Sequence, residues 1–588
     1  MTWYQTYLLF GHGLGVSVLL AALPILTLLL LLGVLRKPAW FAGMCGLAVT
    51  FALATLAYKM PVVTAVSAAG FGVAFGLFPI TWLIFWAIAL FRVTVETGQF
   101  EIIKNSIGRL TPDPRLQALL IAFSFGAFLE GAAGFGTPVA IAASMLIGLG
   151  FSPFSASAIC LLTNTAPVAF GSIGIPIITL AGITGLPLDK LSGAIGAICT
   201  PVALIIPAYL IVAIGGWTAT SGIWVPLLVA GSVFGAVQLG VSIYVGPQLT
   251  DILAAIASIA ALIAVLRLRR GRAVHEGHAA LMMERFARMG TVPIARKAVA
   301  LSRDAHLSRK VRGEDGAPGV WGGDQPELTM EELVIPSYPI GTVLYAWMPY
   351  GLLVACVILS GWRPLQRVFE RATISLHWPL LHDVVYRVPP IVAKAAPYHA
   401  VFAFNYLATP GTACMVATLL AAVCLRMKPA EFGRVLVAVV KQLRLPTATV
   451  SLVLAIAFLM NYCGATATLG LAFAASGRAF PFFSALLGWM GVFLTGSDTS
   501  SNALFGNLQV VTAQRLGFDP VLMAAANSSG GVMGKMISLQ TIAIAAAATG
   551  LNAADQVRLF RFTLKHSIVL AVVVGCIALL YAYVFHFG

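Results

Sequence analysis

Three stretches of this 588-residue chain, 1–35, 131–188 and 191–250, contain no Asp, Glu, Lys or Arg. A bilayer span needs about 20 mostly apolar residues, so each of the two longer gaps has room for two or more helices. Charged residues make up 10% of the chain and hydrophobic ones 59%, whereas a soluble domain carries roughly 25% charged residues. A soluble enzyme, a nucleic-acid binder and a disordered scaffold are all excluded. The pattern predicts an all-α polytopic membrane protein.

The net charge of +15 does not point to nucleic acid, because its placement is local. Twelve Lys and Arg lie between Arg267 and Arg312, opposed only by Glu276, Glu284 and Asp304. A basic loop between spans stays on the cytoplasmic side and can touch anionic lipid headgroups. The eight cysteines sit in apolar segments without a CxxC pair, so neither a disulfide framework nor a zinc site is indicated. His275-Glu276-Gly277-His278 lacks zinc-protease spacing. Met1-Thr2-Trp3-Tyr4 has no basic n-region, and the apolar run behind it is expected to remain as the first span.

Hydropathy places spans at about 13–35, 39–58, 75–96, 154–182, 191–214, 222–244 and 247–266. After the basic loop they fall at 340–361, 399–424, 446–464, 520–549 and 566–587. The basic residues between them put both termini outside, with 362–398 external despite its five basic residues; an interfacial amphipathic stretch is expected there. Two regions, about 116–150 and 480–516, are apolar halves around a polar break and read as re-entrant hairpins. Backbone of that kind persists at membrane depth only where protein or a wet cavity surrounds it.

The hairpins resemble each other. Phe128-Leu129-Glu130-Gly131 matches Phe493-Leu494-Thr495-Gly496, and Gly150-Phe151-Ser152-Pro153 matches Gly517-Phe518-Asp519-Pro520. Each is followed by an apolar helix that small polar residues are expected to interrupt, at Thr163–Pro167 and at Asn527–Gly531. The expectation is an inverted-topology repeat, 1–266 and 340–588, joined by the basic loop 267–339. Many secondary transporters build a midplane site this way.

Three ionisable groups stand alone in uncharged tracts: Glu130, Asp498 and Lys535. Each costs about 2.5–3.5 kcal/mol in a bilayer even on the lenient insertion scale, so each has either a structural partner or a function. The surrounding Gly131, Ala132, Gly134, Thr137, Asn164, Thr165, Ser497, Thr499, Ser500, Asn502, Asn527 and Ser528 suit an anion. Half-helices that begin after such loops offer free N–H groups and a positive dipole end to a carboxylate. The competing explanation is close helix packing by small residues. Gly530–Lys535 is only part of a P-loop, with Met536 where Ser or Thr would hold magnesium. No stretch is long enough for an ATPase domain, which leaves an ion gradient as the energy source. No nucleophile–base or metal constellation suggests an enzyme, and no cofactor is expected.

Phe125–Gly136, Asn164–Gly171, Gly488–Phe505 and Gly534–Ser538 closely resemble the bacterial L-lactate permease family, and the likeness covers almost the whole chain. The resemblance implies proton symport of L-lactate, and often D-lactate and glycolate, across the bacterial inner membrane, with a homodimer left open. The chain departs from the family in the basic loop and at Ala408-Thr409-Pro410-Gly411-Thr412. Two alternatives stand beside this reading: a sodium- or proton-coupled carrier of another small organic anion such as a dicarboxylate, and an anion channel. Proton coupling is assigned to Glu130 and Asp498, because a carboxyl can be neutral during the loaded crossing and release its proton inside.

Overall fold

The computed structural model describes residues 2–9, 13–35, 37–108, 110–111, 113–134, 136–268 and 338–584. Among them are 12 helices long and apolar enough to cross a membrane, or 13 with the bent pair Pro153–Thr163 and Val168–Thr184 counted as one span. The protein is a multi-pass membrane protein. Most of the basic segment expected at 267–339, with His275–His278, lies outside the described residues.

The first two spans, Leu14–Val34 and Ala39–Ala57, and those at Leu188–Gly215, Trp224–Tyr244, Thr250–Leu268 and Ile340–Gly361 fall where hydropathy puts them. Four others differ. The span expected at 75–96 is a 35-residue run, Val62–Glu96, broken at Phe78 ahead of Pro79. Its glycines hid the first half. A Cβ on Gly72 would come within 2.5 Å of the Leu454 carbonyl oxygen, so this helix lies backbone-close on its neighbour. That neighbour is Pro429–Cys463, not 446–464, and it carries Lys441 and Arg444 within it. The span at 399–424 is only the 15-residue helix Pro410–Cys424. The last helix begins at Ala553 rather than 566.

The 362–398 segment is not one amphipathic stretch. A short helix, Arg363–Glu370, leads into strand Ile374–His377, which pairs antiparallel with Val401–Phe404. Val385–Arg387 pairs antiparallel with Ala396–Pro397 and parallel with Trp3–Tyr4 near the N-terminus. This small β module sits over the helices, with the Trp378 indole donating to the Ser67 carbonyl at 3.0 Å and Tyr462 donating to the His399 carbonyl at 3.0 Å. Strand pairing satisfies backbone groups that would otherwise need water.

Both hairpins form. The first is Pro114–Ala132 followed by Thr137–Gly148, and the second is Phe480–Thr495 followed by Asp498–Leu516. The interruption expected at 163–167 is present: the chain bends by 69° there, and Ser172, Ile173 and Gly174 take positive φ. The interruption expected at Asn527–Gly531 is absent, because Pro520–Lys535 is one continuous helix. Its glycines serve contact, since a Cβ on Gly530 would clash with the Ala485 carbonyl oxygen. The break comes later, at 536–538, before helix Leu539–Thr549.

Candidate functional site

The two hairpin tips border one cavity of about 520 Å³. Three helices begin on it: Thr137–Gly148 after Gly136, Asp498–Leu516 after Ser497, and Leu539–Thr549 after Ser538. Gly136 has φ +81°, a left-handed turn that glycine adopts without strain. The Ser497 and Ser538 hydroxyls accept the amide hydrogens of Ser500 and Thr541, capping their helices. Three positive dipole ends thus face one space, which favours an anion there.

Glu130, Asp498 and Lys535 are the charged residues that line this cavity. Lys535 Nζ donates to Glu130 Oε1 at 2.7 Å, joining the first hairpin to the break after helix Pro520–Lys535. Both side chains are largely buried, and Glu130 Oε2 has no partner. Asp498 Oδ2 accepts from Ser528 Oγ at 2.8 Å and from Asn502 Nδ2 at 3.3 Å, while its Oδ1 is unpartnered. The polar network continues away from the cavity: Asn527 donates to Asn502, and Gln509 donates to Asn527.

The expected residues therefore separate into two groups. Ser497, Thr499, Ser500 and Lys535 line the cavity with Glu130 and Asp498. Asn502, Asn527 and Ser528 are buried behind the second tip, where they hold Asp498 or one another. Gly131, Ala132, Gly134, Asn164 and Thr165 do not line the cavity. Gly134 lets the first tip lie against Ser172, whose Oγ would clash with any Cβ there. Thr165 Oγ1 donates to the Leu162 carbonyl, and Asn164 Nδ2 is buried without a partner. The Thr137 side chain lies outside the described residues. The 408–412 departure packs on Trp82 and Leu83, away from the lining.

Sequence reasoning missed several lining residues, including Trp40, Ser172, Gln442, Gln540 and Thr541. These polar and aromatic groups carry no charge that would mark them in an apolar sequence. Beyond the cavity, His399 Nδ1 lies 2.6 Å from Asp383 Oδ1, and His382 Nε2 lies 3.2 Å from Oδ2. This cluster could hold a divalent cation by composition. However, His382 Nδ1 accepts the Ala400 N–H at 3.1 Å, which leaves the proton of a neutral ring on Nε2, facing Asp383 rather than a metal.

The sequence model of the family described as L-lactate permease matches residues 17–585. The glycolate permease GlcA of Escherichia coli (strain K12) is 40% identical over 592 residues, 100% of this chain and 99% of that protein. The L-lactate permease of the same organism is 40% identical over 588 residues, covering 99% and 98%. That of Bacillus subtilis (strain 168) is 40% identical over 606 residues, covering 100% and 99%.

Proposed function

This chain belongs to the L-lactate permease family, and on that premise we propose that it carries L-lactate and related 2-hydroxymonocarboxylates, such as D-lactate and glycolate, across a bacterial inner membrane together with protons. The observation that carries the proposal is a cavity where one lysine and three helix N-termini face the same space. A carboxylate entering it has Lys535 for its charge, and the Thr499 and Ser500 hydroxyls for its second oxygen or for a 2-hydroxyl. A dicarboxylate would need a second cation, and among the described residues Lys535 is the single cation of the lining.

Coupling follows from charge. A substrate carboxylate that takes Lys535 leaves Glu130 unpaired in a place where it is 2% exposed. An unpaired buried charge costs several kcal/mol even after relaxation, so Glu130 takes a proton, and anion and proton binding favour each other equally. Asp498, held by two neutral donors, is the second coupling carboxyl. We assign the repeats to 1–266 and 340–588 in inverted topology, and place both termini in the periplasm.

Purified protein in proteoliposomes should accumulate labelled L-lactate and glycolate when the pH gradient is inward-directed in protons, and should not respond to sodium. Accumulation driven by sodium alone, or non-saturating flux without counterflow, would replace this reading with the sodium-coupled carrier or the channel.

A further inference from the structure

Behind the Glu130–Lys535 pair, outside the cavity lining, lies a third carboxyl. Asp251 stands in the first turn of helix Thr250–Leu268 and is 1% exposed. Among the described residues neither of its oxygens has a hydrogen-bond partner of full geometry, and the Gln238 side chain is the nearest that could provide one. The connection that delivers it is itself sunk, with Leu249 and Thr250 fully buried. Gly131, the residue after Glu130, faces it so closely that a Cβ there would come within 2.8 Å of the Asp251 Cβ.

The groups around Asp251 decide its charge. Glu130 of the first hairpin, Gln238 of helix Trp224–Tyr244 and Lys535 are its polar neighbours, and Cys199 approaches from helix Leu188–Gly215. Helix Gly171–Thr184 contributes no ionisable residue. Lys535, the only cation of the set, is already committed to Glu130 at 2.7 Å. The positive end of its own helix stabilises a carboxylate by less than an unpaired buried ion costs, so the dipole does not compensate. Gln238 Oε1 and Glu130 Oε2 are also buried acceptors without a donor. A hydrogen on Asp251 supplies a donor that these acceptors lack.

We propose that Asp251 holds a bound proton in the substrate-free protein and forms with Glu130 a two-carboxyl site, carrying one proton while Lys535 is on Glu130 and two once a substrate carboxylate has taken Lys535. The step balances: one anion and one proton enter, Glu130 gains an O–H bond, and Asp251 keeps its own. Its O–H donates to Gln238 or Glu130, and Glu130 stays neutral beside a neutral neighbour during the crossing. The second half of the proposal rests on the lactate reading, while the first half does not.

Infrared spectra of the purified protein without substrate test the first half. The protonated-carboxyl C=O band should lose intensity in Asp251→Asn and keep it in Glu130→Gln; a band unchanged in Asp251→Asn overturns the proposal. Should Asp251→Asn fail to fold, a hydrophobic carbodiimide on the wild-type protein decides, since it attacks protonated buried carboxyls. An adduct on Asp251 by mass spectrometry supports the proposal, and its absence overturns it. Adding lactate should then raise a second protonated-carboxyl band in wild type that Glu130→Gln lacks. If wild-type vesicles transport lactate and no second band appears, the two-proton site is wrong. If those vesicles take up no lactate, the substrate reading fails, and the substrate-free spectra still decide Asp251.

Discussion

Lys535 does two things at once, and substitutions can separate them. It holds Glu130 in a buried ion pair, and among the described residues it is the one cation a substrate anion can meet in the cavity. Lys535→Gln should raise the half-saturation concentration for lactate by roughly 10- to 100-fold, since a hydrogen bond to a charged group is worth about 1.5–3 kcal/mol. It should also lower the Tm, because an unmatched Glu130 remains. The double variant Glu130→Gln/Lys535→Gln should recover the Tm but not the binding, and a double variant with wild-type affinity would remove Lys535 from the site. Glu130→Gln and Asp498→Asn should each impair accumulation driven by a pH gradient more than lactate exchange at equal concentrations. If both still accumulate lactate, coupling lies elsewhere. His399 is then no substitute, because its side chain is 66% exposed in the β module, paired with Asp383. Glu130, Asp498 and Lys535 were legible because each is alone in an uncharged tract. Asp251 meets the same criterion, alone between Lys190 and Arg267. In sequence, a charge at the start of a span reads as an interfacial residue. Only the fold shows that the connection before it is buried.

At the scale of elements, glycine decides whether helices break or touch, and composition does not distinguish the two. Helices Phe480–Thr495 and Pro520–Lys535 pack almost backbone to backbone. A Cβ on Gly488 would clash with the Asn527 carbonyl oxygen, and one on Gly534 with that of Trp489. Small residues permit this approach in membranes, where apolar burial gives helices little reason to associate. Gly488→Ala should therefore destabilise the detergent-solubilised protein by about 1–3 kcal/mol or more, the cost of overpacking, seen as a lower Tm. Gly15→Ala is the control, since Gly15 has nothing within 4 Å of its Cβ position. Equal Tm values for the two variants would contradict the packing account. The same ambiguity explains two errors of the sequence reading: Gly70, Gly72 and Gly76 hid a helix, and Gly530 with Gly531 suggested a break. The 164–167 break was legible because Pro167 follows polar residues, and the backbone stays irregular through the positive φ values at 172–174.

At the scale of the whole molecule, the cavity has a side. Its lining includes Pro38, Ala39 and Trp40, which follow the first span, and Gln442 and Pro446 within the long helix Pro429–Cys463. Pro38 and the neighbouring Lys37 are exposed. The first span separates this end from strand Trp3–Tyr4, which pairs with Val385 and Tyr386 of the β module. Helix Ile340–Gly361 leads into that module, so its first residue and Lys37 share the opposite face. With both termini in the periplasm, as we propose, that face is the cytoplasmic one, and the cavity then opens inward with the β module outside. In a background without the eight native cysteines, Trp40→Cys and Thr499→Cys should react with a membrane-impermeant maleimide applied to inside-out vesicles. Leu376→Cys, 48% exposed on the β module, should react only in right-side-out vesicles. Lactate should slow the reaction at Thr499→Cys more than at Trp40→Cys, because Thr499 stands at the helix N-terminus of the second tip while Trp40 follows the exposed Pro38. Labelling of Trp40→Cys and Leu376→Cys from the same side would break the topology and with it the inward-facing cavity. Labelling from opposite sides without protection by lactate would keep the topology and move the substrate away from the second tip.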